Sequence, residues 1–92
     1  MKPHRFHFAA DAEYAEAAKY YAAISPELGG RFYDEIERLV AEIRQEPSRF
    51  RVYDAPARRH FSTMFPYAVI YLEQADFIWI VAVMHFKRNP IY

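Results

Sequence analysis

The chain has 92 residues, 12 Lys+Arg against 12 Asp+Glu, no cysteine, and 53% hydrophobic with 18% aromatic residues. That length supports one domain, residues 1–92, with a single core and little stability to spare, and the composition is that of a folded chain. The balanced charge gives no bulk sign of a nucleic-acid partner, the lack of cysteine excludes disulfide and thiolate chemistry and fits a reducing cytoplasm, and neither a secretory leader nor a membrane span is legible.

In chain order, "RFHF" (residues 5–8) alternates polar and apolar as a strand with one buried face does. Asp11 then suits a helix N-cap, with Glu13 in the first turn. Tyr14, Ala17, Ala18, Tyr21 and Ile24 share one helical face. "ISPELGG" interrupts this helix: Ser25 can cap a second one, with Pro26 at its first position, where a missing N–H costs nothing. Leu28, Phe32, Ile36, Leu39, Val40 and Ile43 recur at spacings of three and four, and the second helix should stop before Pro47. The two form an αα-hairpin.

"EPSRFRVYDAPA" reads as a loop with two prolines. "RRHFS" reads as a short strand. "FPYAVIYLE" reads as another, with Tyr67, Val69 and Tyr71 on one face and Ala68, Ile70 and Leu72 on the other. "QAD" is a tight connection into "FIWIVAVMHF", too apolar for a strand with one wet face, so it belongs in the middle of the sheet. The expected architecture is β-α-α-β-β-β: an α+β two-layer fold, with an N-terminal strand and a helical hairpin packed on an antiparallel sheet.

Charge is unevenly placed. Residues 10–46 hold nine acids and four bases, whereas residues 47–92 hold six bases and three acids. An anion would meet the C-terminal half. The candidate groups there are Arg58, Arg59 and His60 on the short strand, and His85, Lys87, Arg88 and Tyr92 where the last strand runs out. Arginine grips phosphate with two parallel hydrogen bonds, and tyrosine can stack on a base or act as an acid. The plainer reading of this set is a solvated basic rim, and that of His85 is a residue hydrogen-bonded within the sheet. The aromatic helical stripe reads as core, and the acidic helix faces as solvated surface. His4 and His7 imply no third ligand, so no metal is expected, and no glycine-rich phosphate loop or Ser-His-Asp set is present.

The segments "YY" (20–21), "PELGGRF" (26–32), "IERLVAEIRQEPSRF" (36–50), "RHFSTMFPYAVIY" (59–71) and "AVMHFKRNPIY" (82–92) resemble, in this order, the RelE/ParE superfamily of type II toxin–antitoxin toxins. The likeness spans nearly the whole chain. "FPYAVIY" and the terminal "AVMHFKRNPIY" are its most specific parts. It implies a cytoplasmic, cofactor-free bacterial toxin that inhibits growth and is neutralised by, and assembled with, a cognate antitoxin.

The resemblance leaves two targets open. In the RelE-like branch the toxin is a ribosome-dependent mRNA endonuclease, and Arg59 (or Arg58), Arg88 and Tyr92 would be the catalytic residues. In the ParE-like branch it is a non-enzymatic poison of DNA gyrase; in either case Arg58, His60, His85 and Lys87 would belong to the target-binding surface. The RelE-like branch carries an arginine where this chain has Ala68, which favours the ParE-like branch, because an alanine methyl cannot hold a phosphate. A third reading keeps the fold without toxicity: an α+β interaction module whose exposed sheet edge accepts a peptide.

Overall fold

A computed structural model, which describes residues 1–87, builds two layers in the order β1 (His4–Phe6), α1 (Phe8–Ile24), α2 (Pro26–Gln45), β2 (Arg51–Asp54), β3 (Ala57–Phe61), β4 (Tyr67–Glu73) and β5 (Ile78–His85). The α+β class, the helical hairpin and the central position of β5 match the sequence expectation. Two features depart from it. The sheet has five strands, and it is mixed: its order is β1-β5-β4-β3-β2, with β1 parallel to β5 and the other pairs antiparallel.

The extra strand is β2, in the stretch read as a loop. Its two prolines bracket the strand: Pro47 precedes it and Pro56 lies in the turn into β3. Between them Arg51-Val52-Tyr53 carries β-branched and aromatic residues that fit a pleated surface, and Arg51 and Val52 pair with Arg59 and Arg58.

Helix α1 starts earlier than Asp11. His7 is its N-cap, and its Nδ1 accepts from the Ala9 N–H at 3.0 Å, so Asp11 falls in the first turn, where its negative charge interacts favourably with the positive end of the helix dipole. Ser25 serves as N-cap of α2 as its sequence suggests: its Oγ accepts from the Leu28 N–H at 3.0 Å, and Pro26 opens the helix. The helix stops at Gln45, ahead of Pro47. Gly29 is where the two helices touch: a Cβ there would lie 2.7 Å from the Ala22 Cβ and 2.8 Å from the Ala22 Cα.

The core lies between the helices and one face of the sheet. Phe32, Ile36, Leu39 and Ile43 of α2 are fully buried, with Ala10, Tyr14 and Ala17 of α1 beside them. Each large side chain buried this way contributes about 1.5–3 kcal/mol. Ile24 departs from the expected stripe and is exposed, at the end of α1 beside the turn. From the sheet, Tyr67, Val69 and Tyr71 of β4 and Ile78, Ile80 and Val83 of β5 face the helices. Phe32 sits in an aromatic cluster with Tyr21, Phe65 and Tyr67, at ring separations of 5.1–5.2 Å.

The spacing in β5 changes midway. Tyr71 pairs with Ile80 but Ile70 with Ala82, so Val81 is an extra residue, a β-bulge. It reverses the alternation, so that Ile78 and Ile80 point at the helices before it and Val83 and His85 after it.

Candidate functional site

Alternation along β3 splits the basic triplet. Arg58 and His60 lie on the helix side, opposite Tyr71 and Val69, and Arg59 lies on the other face, opposite Ile70. Arg58 Nη1 donates to the Phe50 carbonyl at 2.8 Å. His60 Nε2 lies 2.7 Å from Glu42 Oε1, and its ring stacks on Phe50 at 3.8 Å. The hydrogen bond from His60 is the main reason the Glu42 carboxyl titrates below its usual range. These two side chains fasten β3 and the preceding segment to α2.

The neighbouring polar set is also closed. Glu35, 3% exposed, accepts from Arg38 Nε at 2.8 Å and Nη2 at 3.0 Å, and from Ser62 Oγ at 2.6 Å. Ser62 Oγ in turn accepts the N–H groups of Met64 and Phe65 at 3.0 Å. The Arg38 bonds hold the Glu35 carboxyl below its ordinary range against the opposing effect of burial. This network locks the β3–β4 loop onto α2.

Arg59 stands apart. Its guanidinium lies 4.8 Å from the Phe61 ring centroid and 5.8 Å from that of Tyr53, and it has no carboxylate partner among the described residues. Across the β2–β3 ladder it faces Arg51, which is exposed. Arg49, Phe50, Arg51, Arg59, His60 and Phe61 line one open hollow of about 410 Å³.

At the far end of the sheet, the β5 bulge turns His85 toward α1. It sits opposite Tyr67, with ring centroids 4.9 Å apart, and borders a hollow of about 300 Å³ with Glu13, Glu16 and Tyr20. Glu13 Oε1 accepts the Val83 N–H at 2.9 Å, so a helix carboxylate takes a strand donor there. Lys87 is exposed just past β5. Arg88 and Tyr92, named from the sequence as catalytic in the RelE-like case, lie outside the described residues.

Ala68 is fully buried on the face opposite the helices, between Phe61 of β3 and Met84 of β5 in the register. His4 and His7 take up structural positions. His7 caps α1, and His4, half-buried, has its pKa lowered by desolvation and then by Arg44. Among the described residues no cluster of three or more potential metal ligands occurs, and no helix is long and apolar enough to cross a membrane.

The described cations among those named from the sequence therefore occupy three places: the α2 side of β3, the opposite face of β3, and the end of β5. Reading residues 46–57 as a loop hides Arg49 and Arg51 as neighbours of Arg59, and Phe61, two residues on along β3, carries no charge to mark it. The signal was present in "RFRVY", where Arg49, Arg51 and Tyr53 alternate with apolar residues.

A family model described as the ParE toxin of the type II toxin–antitoxin system parDE matches residues 5–90. Among solved structures, the fold is similar to that of a chain from "Chromosomal ParDE TA system from P. aeruginosa", with a TM-score of 0.79 and 18% identity, covering 90% of this chain and 94% of that one. No curated protein sequence matches the chain. With its helical hairpin on a mixed sheet and a family match over nearly its full length, the chain belongs to the ParE toxin family of type II toxin–antitoxin systems.

Proposed function

We propose that this toxin arrests growth by binding and poisoning DNA gyrase in the cytoplasm, as a protein ligand and not as a nuclease, and that a cognate antitoxin holds it inactive in a complex. The observation that carries this reading is the division of the basic residues. Cutting mRNA requires, besides cations on the phosphate, a base and an acid placed beside it. Arg58 and His60 are turned toward α2 and already bonded to the Phe50 carbonyl and to Glu42. Ala68, fully buried, fills a central position of the opposite face with a methyl group. That leaves Arg59 as the one member of the triplet on that face. The antitoxin is supported by the type II family assignment and by the structural neighbour, whose title names a ParDE system.

The test titrates purified toxin into a gyrase supercoiling reaction. Supercoiling should fall and cleaved DNA should accumulate, and prior addition of the product of the adjacent gene should prevent both. The parallel reaction holds ribosomes and mRNA. Codon-phased cleavage there, with gyrase untouched, would overturn the proposal in favour of the RelE-like mode.

A further inference from the structure

Arg51 and Arg59 face each other directly across the β2–β3 ladder, a placement in which like charges repel. Among the described residues neither has a carboxylate partner. The Arg59 guanidinium is held by aromatic rings instead, and its Nε is buried with no acceptor among the described residues. The third cation, Arg49, lies 5.3 Å from the Phe50 ring centroid and makes a long contact of 3.8 Å to Glu46, between side chains that are 62% and 67% exposed. All three border the hollow of about 410 Å³, whose walls also carry Phe50, His60 and Phe61. Elsewhere in the same hairpin, Arg58 and His60 are satisfied by acceptors of their own. A repulsive ladder pair, a third, exposed cation and a partly exposed Phe61 ring in one hollow fit an anion that also presents a flat apolar surface.

We propose that this hollow binds single-stranded DNA, with a backbone phosphate bridging Arg51 and Arg59, a neighbouring phosphate at Arg49, and a base against Phe61. Arginine forks match phosphate oxygens. Base–aromatic stacking accepts any base, and Phe61, which meets the Phe86 ring edge to face at 5.0 Å, is 38% exposed. An acidic peptide would answer the charges but make no use of the exposed part of the Phe61 ring. The site stands independently of the gyrase reading; only the choice of DNA over RNA rests on it.

The test measures fluorescence anisotropy of a labelled oligothymidylate of about ten nucleotides, within the usual site size of such grooves, titrated with the full-length toxin at two salt concentrations. Oligouridylate, a short duplex and polyglutamate run in parallel. Saturable binding to the oligothymidylate is expected. Arg51→Gln and Arg59→Gln should each weaken it roughly 10-fold and reduce the slope of log affinity against log salt by about 0.7. Arg5→Gln, on the same sheet face at the opposite edge, should leave it unchanged. Circular dichroism melts check folding, and the exposed Arg51 keeps the test open if Arg59→Gln does not fold.

Absence of saturable binding at low salt would sink the proposal, as would an equal loss from Arg5→Gln, which would mean diffuse attraction. Tighter binding of polyglutamate would assign the hollow to an acidic protein segment, and a preference for oligouridylate would overturn the choice of DNA. Gyrase inhibition without oligonucleotide binding removes the site and leaves the gyrase reading; binding without gyrase inhibition does the reverse.

Discussion

The two faces of strand β3 treat the same chemistry in opposite ways. On the helix side, Arg58 and His60 meet a carbonyl and a carboxylate, and nearby Glu35 is bonded to Arg38 and Ser62. On the other side, Arg59 meets Arg51 and aromatic rings. Three consecutive residues thus divide between holding the fold together and presenting charge outward. Residue type alone does not assign a cation to either task; strand parity does. Substitutions on the helix side should therefore register in stability, and substitutions on the other face in binding.

The largest effect is expected at the centre of the helix side. Phe32→Ala removes a fully buried ring from the cluster with Tyr21, Phe65 and Tyr67 and should cost about 3–5 kcal/mol in urea unfolding. A loss under 1 kcal/mol would mean that the aromatic cluster is not the keystone of the packing.

Glu35→Gln should cost about 1–3 kcal/mol at neutral pH, because it weakens the bonds to Arg38 and Ser62. The cost should depend on pH. The folded-state pKa of Glu35 is lowered from the ordinary 4.5, so its contribution is fully present above that value and is lost as pH falls through the folded value. Glu42 shifts the same way and adds to the acid loss in both proteins. Unfolding midpoints of parent and variant should therefore converge on acidification from pH 5 downward. A gap that stays constant into that range would show that the carboxylate's charge does not carry the effect.

The smallest effect is also the most diagnostic of the two faces. Arg58→Gln gives up the bond to the Phe50 carbonyl and should lose about 1 kcal/mol. Arg59→Gln relieves the confrontation with Arg51 and should stay within about 0.5 kcal/mol of the parent. Thermal melts of the pair measure this difference, and the reverse order would contradict the division described here.

Much of this architecture was legible in the residues. Ser25-Pro26 marked the start of α2, the stripe from Phe32 to Ile43 marked its buried face, and the apolar run at residues 77–84 marked a central strand. These are local signals, written in spacing and capping chemistry. Strand β2 was hidden by flanking prolines that looked like interruptions, and its discovery is what brings Arg51 opposite Arg59. The parallel pairing of β1 with β5 joins segments more than 70 residues apart, and no short-range pattern announces it. The site was legible as a supply of cations in the C-terminal half, and illegible as geometry for the same reason.

The extra residue in β5 has a consequence for how the strand can vary. Ahead of Val81 the even-numbered positions Ile78 and Ile80 face the helices, and beyond it the odd-numbered Val83 and His85 do. Tolerance to polar replacement along β5 should therefore run with one phase up to the bulge and the opposite phase after it. A strand read with unbroken alternation would misassign the second half completely. It would send His85 out into solvent and bring Met84 in against α1, so one inserted residue decides which side chains the end of this strand offers to α1.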